Sequence, residues 1–375
     1  MEGNVRLKVG IVGLGKMGLS HYALFNAHPG VEVAAVCDAS SYVMDVLTRY
    51  TGVSTYARFP DMLEGAALDA VVIATPSRSH AALIHAALSR DIHVFCEKPL
   101  TLSPADTSEV VRLGNQRNLV TQVGYHNRFV ATFREVKALL DARAIGTVTH
   151  ALAEAYGSVV TRPQDATWRS RRSEGGGCLY DYAAHAINLL TWYLGEPHRV
   201  AGTALARIFS REVEDQVVGT LYFPANVTGQ ICANWCDASV RKMTTRVTLW
   251  GTHGRVYADR QEIQAYLTGR SEAPPGYHPG WNVKYVTDLA DPVWFYLRGE
   301  EYSQEIDAFV RRVAHRDLIG VNAFGSAAAT DNVIAMMMSD AARREGPAET
   351  TDARATSPLR GDGRRRLILR RRTGT

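Results

Sequence analysis

The sequence predicts an α/β protein with two domains: a doubly wound parallel sheet, then an α+β domain with a large, open, mainly antiparallel sheet. Three observations lead to this prediction. The chain has 375 residues, more than the roughly 250 to 300 residues at which a single core stops growing. Short apolar runs alternate with helical patterns over about the first 125 residues. Longer runs that alternate apolar with polar residues follow them.

The first domain, placed at residues 1–127, contains five short apolar runs that predict strands: Lys8–Val12, Val31–Cys37, Ala70–Ala74, His93–Cys96 and Leu119–Val123. Segments long enough for crossover helices lie between them: Met17–Ala27, Ser79–Ser89 and Pro104–Gln116. Continuous apolar strands joined by helices indicate a parallel sheet covered on both faces. Because such crossovers are right-handed, the sheet should be doubly wound.

The second domain, placed at residues 128–346, is predicted to bind substrate and to mediate oligomerisation. Its strand-like runs are Val148–Tyr156, Val200–Phe209, Gln216–Phe223, Thr228–Trp235 and Thr245–Leu249. Its helical patterns are Phe129–Leu140, Leu179–Leu194, Tyr302–Ala314 and Ala328–Arg343, and Ala273–Gly280 is a proline-rich loop. Because an open sheet needs cover, we expect a homodimer or a homotetramer.

Residues 347–375 form a basic tail that we expect to be disordered. Of the 42 lysines and arginines, eight arginines lie there beside only Glu349, Asp352 and Asp362, so the rest of the chain is nearly neutral. We interpret this tail as a solvated terminus rather than a nucleic-acid contact.

Composition is typical of a cytoplasmic globular enzyme, with 46% apolar and 21% charged residues. Neither a signal peptide nor an apolar stretch of about 18 residues is evident. The five cysteines are odd in number and scattered, and their spacing matches no zinc site. We therefore predict no metal, no disulfide framework and no membrane partner.

A glycine-rich segment directly follows the first predicted strand and begins a helix. Gly13, Gly15 and Gly18 have the spacing of a dinucleotide-binding loop, with Lys16 and Met17 between the last two. The first glycine permits a tight turn, the second a close backbone approach to pyrophosphate, and the third close helix–strand packing. The helix N-terminus favours the anion. This context predicts a Rossmann domain.

Asp38 lies twenty positions beyond Gly18, at the end of the next predicted strand. A carboxylate there can accept hydrogen bonds from a ribose diol and would repel a 2′-phosphate. NAD is therefore the predicted cofactor, in preference to NADP.

Glu97-Lys98-Pro99 ends the His93–Cys96 strand. Open parallel sheets bind ligands at the carboxyl ends of their strands, which would direct Lys98 towards the nicotinamide. Its ammonium group could stabilise a developing alkoxide. Taken alone, this pair also fits a surface ion pair.

Three glycines, Gly175 to Gly177, precede a helical pattern that contains Asp181 and His185. A spacing of four places both side chains on one helical face. A neutral histidine can take a proton from an alcohol, and a nearby carboxylate can orient it or raise its basicity.

Together these segments resemble the glucose–fructose oxidoreductase/inositol dehydrogenase (Gfo/Idh/MocA) family over roughly residues 7 to 345. The matching features are Gly13-x-Gly15-x-x-Gly18, Thr75-Pro76 followed by His80, Glu97-Lys98-Pro99, Trp168-Arg169, the glycine run before Asp181 and His185, and Leu194-Gly195. The resemblance implies a dimer or tetramer with a catalytic set of Lys98, Asp181 and His185. It also implies that Tyr125 to Arg128 lie near cofactor and substrate.

We therefore expect two overlapping groups of binding residues. The expected cofactor site comprises Gly13, Gly15, Lys16, Met17, Gly18, Asp38, Thr75, Pro76, His80, Glu97, Lys98 and Arg128. The expected substrate site comprises Lys98, Tyr125, Arg128, Tyr156, Trp168, Arg169, Asp181 and His185.

The chain departs from the family pattern at two places. Ala183 and Ala184 stand where the family often has glycine, which would alter helix packing. Asn188 stands where an acidic residue is frequent, which would remove a contact to a substrate hydroxyl.

The leading hypothesis is an NAD-dependent dehydrogenase that oxidises a secondary alcohol of a sugar, amino sugar, nucleotide sugar or cyclitol to a ketone. The sequence leaves the substrate and the physiological direction open. Two other classes remain: a glycosidase that uses NAD for transient oxidation and elimination, and a non-catalytic NAD-binding regulator.

Overall fold

A computed structural model describes residues 6–163, 167–270 and 273–344, and the predicted basic tail lies outside them. The first sheet has six parallel strands in the order β3-β2-β1-β4-β5-β6. They are β1 (Leu7–Val12), β2 (Val31–Cys37), β3 (Ser54–Tyr56), β4 (Ala70–Ile73), β5 (His93–Cys96) and β6 (Thr121–Val123). The helices of this half are α1 (Lys16–Ala27), α2 (Ser41–Thr51), α3 (Phe59–Gly65), α4 (His80–Leu88) and α5 (Pro104–Gln116).

The second sheet has eight strands in the order β14-β13-β12-β11-β7-β10-β9-β8, antiparallel except for the β7–β10 pair. They are β7 (Val148–Tyr156), β8 (Arg199–Ala206), β9 (Gln216–Tyr222), β10 (Thr228–Asn234), β11 (Thr244–Gly251), β12 (Gly254–Ala258), β13 (Glu262–Leu267) and β14 (Gly280–Tyr285). The accompanying helices are α6 (Ala131–Asp141), α7 (Ala184–Leu194), α8 (Val286–Leu289), α9 (Glu300–His315) and α10 (Phe324–Arg344). The predicted fold class is confirmed.

One face of the second sheet forms the core with α7, because alternate residues of β7 point inwards. Ala151, Ala153 and Ala155 are fully buried, and the residues between them are partly exposed. The other face leaves large apolar side chains of the outer strands exposed, including Trp281 and Tyr285. Self-association through this face stays a prediction.

The last two long helices tie the sheets together. On α9, Phe309 packs edge-on against Phe25 of α1 and Phe95 of β5, with ring centroids 6.4 and 5.7 Å apart. α10 packs against both α5 and α7. The predicted boundary between residues 127 and 128 stays a prediction, and both helices contact the first half of the chain. Every helix within the described ranges is too short or too polar to cross a lipid bilayer.

Candidate active site

The glycine loop between β1 and α1 has the shape that a dinucleotide requires. Gly13 has a φ of +89°, and a Cβ there would lie 2.8 Å from the Ala74 carbonyl. A Cβ on Gly18 would lie 1.7 Å from Gly13 O, so a side chain is excluded. Gly15 instead faces open space: among the described residues, no atom lies within 4 Å of where its Cβ would be, and no side chain caps α1. Free amides and open space at a helix N-terminus fit a pyrophosphate.

Asp38 follows β2 and contacts the same loop. Its Oδ2 accepts a hydrogen bond from Leu14 N at 2.6 Å, and its Oδ1 accepts one from Ser40 N at 2.7 Å. The carboxylate therefore lies beside the glycine turn, where a ribose would follow the pyrophosphate. Lys16 is exposed and Met17 is half-buried, both in the first turn of α1.

His80 braces two segments of the predicted cofactor site rather than facing open space. Its ring is fully buried, with Nδ1 2.9 Å from Pro99 O and Nε2 3.0 Å from Thr75 O. Burial lowers the pKa of His80, although both carbonyls act in the opposite direction. Pro76 precedes a 3-10 turn and is exposed, and Thr75 is half-buried. His80 thus positions the segments after β4 and β5.

Glu97 and Lys98 follow β5, and the Lys98–Pro99 peptide bond is cis. Glu97 Oε1 lies 2.7 Å from Nε2 of the fully buried His21. Burial alone would raise the pKa of Glu97, but the His21 contact and the Lys98 charge outweigh it and lower the pKa. Glu97 therefore stays ionised and holds this turn against α1.

Lys98 reaches across to the second half of the chain, where it meets Asp181. Its Nζ donates to Asp181 Oδ1 at 2.7 Å and to Asp181 O at 3.0 Å. Arg169 Nε donates to Asp181 Oδ2 at 3.0 Å. Burial would raise the pKa of Asp181, but these two cations outweigh it and lower the pKa. The carboxylate therefore remains charged, with both oxygens engaged.

Asp181 lies in a π-helical turn, Leu179–Ala183, which precedes α7. Such turns are frequent at functional sites because they redirect side chains. Glu214, two residues before β9, caps this turn by accepting a hydrogen bond from Leu179 N at 2.9 Å. A Cβ on Gly177 would lie 2.3 Å from the Glu214 carboxylate, so only glycine leaves room for the cap. The glycine run before Asp181 therefore has a local structural cause.

His185 lies in the first turn of α7 and is 4% exposed. Burial lowers its pKa well below 6.5, and the charges of Lys98 and Arg260 lower it further, so the imidazole is neutral at pH 7. Its Nδ1 is buried without a hydrogen-bond partner among the described residues. The expectation that Asp181 orients His185 is not met, because the π turn directs that carboxylate to Lys98 and Arg169.

The turn after β6, His126–Phe129, contributes the imidazole of His126, which lies within the range that the resemblance places near cofactor and substrate but is not one of the individually predicted site residues. The His126 ring lies 4.9 Å from that of His185 and stacks on Tyr302 at 4.7 Å. Arg260, between β12 and β13, lies 3.3 Å from His126 Nε2 and is paired with Glu301. These contacts join segments far apart in the sequence, so no local motif signals them.

Among the predicted substrate residues, Tyr125 and Trp168 lie next to this cluster. The Tyr125 ring is fully buried, edge-on to His185 with centroids 6.0 Å apart. The Trp168 ring packs under Arg169, whose Cζ lies 4.6 Å from the ring centroid. Tyr125 therefore shapes the inner wall beside His185, and Trp168 supports the outer arginine.

The structure does not bring Tyr156 or Arg128 to the cluster. Tyr156 alternates with the buried Ala155 along β7, so it shares the opposite face with Glu154. Burial raises the pKa of Tyr156 to about 12, and the charge of Glu154 adds to the effect. Arg128 donates to Asn188 Oδ1 at 2.8 Å and to Asn188 O at 3.2 Å. Both residues therefore lie apart from the binding groups predicted for them.

The hydrogen bonds of Asn188 go to Arg128 and to α10, which agrees with the expectation that asparagine here removes a contact to a substrate hydroxyl. Asn188 is fully buried and also donates to Thr330 Oγ1 at 3.0 Å, which ties α7 to α10. Ala183 and Ala184 are fully buried where the π turn meets α7. Within the described part of the chain, no group of three or more His, Cys, Asp or Glu side chains is arranged to hold a metal.

Comparison with known proteins agrees with this geometry. A model of the oxidoreductase family with an NAD-binding Rossmann fold, GFO_IDH_MocA, matches residues 7–125. A model of the GFO/IDH/MocA C-terminal domain matches residues 133–257. The prediction of NAD as cofactor is thereby confirmed at the level of the family.

Individual proteins that resemble this chain share 20 to 30% of its residues in the matched regions. Inositol 2-dehydrogenase of Salmonella typhimurium (strain LT2) is 30% identical over 198 residues, 52% of this chain and 56% of that protein. The match thus spans little more than half of that relative. Levoglucosan dehydrogenase in complex with NADH has a TM-score of 0.80 at 20% identity, covers 90% of this chain and 97% of its own, and shows the fold alone.

A third similar protein is GenD2 from gentamicin A biosynthesis, solved in complex with NAD. It has a TM-score of 0.72 at 26% identity and covers 90% of this chain and 95% of its own. The two family models span most of the described residues. The chain belongs to the Gfo/Idh/MocA family of NAD-binding oxidoreductases.

Proposed function

We propose that the protein is an NAD-dependent dehydrogenase that oxidises a secondary alcohol of a sugar or cyclitol to a ketone. The observation that carries this proposal is the 2.7 Å contact between Lys98 and Asp181, with the neutral His185 close by. An amine from one sheet edge and an imidazole from the other domain can then act on a single alcohol oxygen.

The glycine loop and Asp38 are the residues that would hold NAD, which when bound supplies the hydride acceptor. Gly15 leaves the amides at the start of α1 free for the pyrophosphate, and Asp38 lies next to Leu14 for the ribose diol. The preference for NAD over NADP follows from the Asp38 charge, since a second anion beside it would be repelled.

Lys98 is the proposed stabiliser of charge on the reacting oxygen. Its side chain is 13% exposed and Asp181 is 11% exposed, so the pair is shielded from bulk water. In such surroundings an ammonium group stabilises a developing alkoxide more than it would in water. It thereby makes the alcohol proton easier to remove.

His185 is the proposed base. Its lowered pKa keeps it neutral and able to accept a proton, but it also makes the imidazole a weak base. The stabilisation of the alkoxide by Lys98 offsets that weakness. Asp181 does not take the proton in this scheme: it holds Lys98 and Arg169 in place.

The substrate class is inferred from the relatives. Inositol 2-dehydrogenase and levoglucosan dehydrogenase are named for a cyclitol and a sugar derivative, and GenD2 comes from aminoglycoside biosynthesis. These names support a polyhydroxylated ring as the substrate. The Arg169–Trp168 edge of the cluster offers a flat apolar surface and hydrogen-bond donors for such a ring.

The direct test is NADH formation, followed by its near-ultraviolet absorbance, across inositols, hexoses, amino sugars and nucleotide sugars. We expect NADH to form with at least one alcohol. The rate of NADH formation should fall strongly in Lys98→Met and should equal that of the wild type in Lys242→Met, a control at an exposed lysine. Glycoside cleavage without net NADH would support the transient-oxidation glycosidase instead. Tight NAD binding with no turnover of any compound would support a non-catalytic regulator.

A further inference from the structure

Arg128 is a buried cation that has no carboxylate partner among the residues that the structure describes. It is 3% exposed, and the hydrogen bonds of its guanidinium within the described chain go to the neutral Asn188. Its guanidinium carbon lies 5.6 Å from the Trp192 ring centroid. Burial lowers the pKa of Arg128 to about 10, and only the phenols of Tyr125 and Tyr193 act against this shift.

A buried charge without a carboxylate partner destabilises the folded chain. A buried charge is usually paired, because neutral hydrogen-bond partners do not replace the hydration that it loses. With a pKa of about 10, Arg128 keeps its proton at neutral pH. The folded chain therefore holds a permanent positive charge that an external anion could neutralise.

Arg128 also lines a cavity of about 420 Å³ that could admit such an anion. Trp192 and Trp294 form part of its apolar wall. The cavity also contains Arg134, 3.8 Å from Asp291, and Arg311, 2.8 Å from Asp307. Because both of these arginines have carboxylate partners, Arg128 supplies the uncompensated charge.

None of the side chains that line this cavity belongs to the cluster around Lys98. The two sites are nevertheless close in the chain. Arg128 lies in the same short turn as His126, and Asn188, which Arg128 contacts, follows His185 by three residues on α7. The cavity opens beside α9, on whose opposite side Tyr302 stacks on His126. It is therefore a second pocket behind the proposed catalytic elements.

We propose that this pocket binds a small carboxylate attached to a flat ring. The guanidinium of Arg128 would receive the carboxylate, since arginine matches planar anions with paired hydrogen bonds. The ring would pack against the indoles of Trp192 and Trp294. The volume of about 420 Å³ lies within the usual range for small-molecule sites.

The test uses the full chain without NAD or substrate, so that its outcome is independent of the dehydrogenase proposal. Sodium benzoate and inorganic phosphate are titrated separately at constant ionic strength, with tryptophan fluorescence and melting temperature as readouts. We expect benzoate to change the fluorescence and to raise the melting temperature. Phosphate should bind more weakly, because it lacks the ring.

The decisive variant is Asn188→Asp, which places a carboxylate beside Arg128 in the same shape. It should weaken benzoate binding by about tenfold or more and melt at a higher temperature than the wild type without benzoate. Asn115→Asp is the matched control, because Asn115 is exposed on α5 and receives the same change of charge. It should retain the wild-type response to benzoate.

Trp294→Ala separates the ring from the charge: it should weaken benzoate binding and leave phosphate binding unchanged. The proposal is overturned if the wild type shows no response to about 10 mM benzoate. It is equally overturned if Asn188→Asp binds benzoate as well as the wild type does. Displacement of benzoate by NAD would place the anion in the cofactor site and would also refute the second pocket.

Discussion

Lys98 Nζ lies 2.7 Å from Asp181 Oδ1 and 3.0 Å from Asp181 O, so one lysine donates hydrogen bonds to both a side chain and the backbone of the π turn. This contact joins the carboxyl edge of the first sheet to the helix that carries His185. Arg169 engages the second carboxylate oxygen at 3.0 Å. The orientation of Lys98 therefore depends on the charge of Asp181.

The first prediction concerns that charge. Asp181→Asn keeps the shape but leaves Lys98 and Arg169 without an anionic partner, so Lys98 loses its fixed position. We expect kcat/KM to fall by about 100-fold, measured by NADH formation. The matched substitution Asp106→Asn, at an exposed carboxylate of α5, should leave kcat/KM unchanged. Equal effects of the two substitutions would refute the positioning role of Asp181.

The second prediction concerns the pH profile of kcat/KM. Burial and the charges of Lys98 and Arg260 hold the pKa of His185 well below 6.5, so protonation should inactivate the enzyme only well below pH 6.5. Arg260→Gln removes one of these charges and should move the acidic limb to higher pH. A wild-type inflection at pH 6.5, or an unmoved limb in Arg260→Gln, would contradict the assignment of His185 as base.

The third prediction concerns the choice of cofactor. Asp38→Ala removes the carboxylate beside Leu14 and should lower the ratio of NAD to NADP affinity, because the repulsion of a 2′-phosphate is lost. Dissociation constants for both dinucleotides provide the measurement. Asp45→Ala, at an exposed position on α2, should keep the wild-type ratio. If Asp38→Ala also keeps the wild-type ratio of NAD to NADP affinity, Asp38 does not contact the ribose diol.

The fourth prediction concerns Asp331 on α10, whose Oδ2 accepts hydrogen bonds from Thr101 N and Thr107 Oγ1, both at 3.0 Å. Burial raises its pKa from 3.8 to about 7. Because the folded-state pKa is the higher one, the stability that this group contributes is fully present below pH 3.8 and is lost as the pH rises through 7. Asp331→Asn removes the buried charge and keeps an acceptor.

We therefore expect Asp331→Asn to melt at a higher temperature than the wild type at pH 8 and to lose this advantage at pH 5. The control on the same helix is Asp340, whose pKa is lowered by the hydrogen bond that Thr203 N donates to it. Asp340→Asn should instead destabilise the protein at pH 8. If the difference in melting temperature between Asp331→Asn and the wild type is the same at pH 5 and at pH 8, the pKa of Asp331 is not raised.

Much of the fold could be predicted because its strands carry clear periodic signals. β7 has the predicted bounds, and its alternation of alanines with larger residues matches its single buried face. β14 was missed because its apolar Trp281 and Val283 are the exposed residues, 55% and 49%, the reverse of the usual pattern. α2 was missed because its core-facing residues Val43, Met44 and Leu47 are few and only partly buried, so its apolar stripe is short.

The candidate site divides in the same way. Motifs with local spacing identified the glycine loop, Lys98, Asp181 and His185. The contact between His126 and Arg260 joins residues 134 positions apart, so only the fold reveals it. The family resemblance places Tyr125 to Arg128 near cofactor and substrate, but a sequence does not show on which side of a 3-10 turn the Arg128 side chain emerges.

His185 provides the most direct test of the central claim, that a neutral imidazole removes the alcohol proton. Turnover and NAD affinity are measured for His185→Ala with the alcohol identified in the screen, and the exposed His198→Ala serves as control. We predict that turnover in His185→Ala falls by about 100-fold or more, that its NAD dissociation constant stays near that of the wild type, and that His198→Ala is unaffected. Wild-type turnover in His185→Ala would contradict the account.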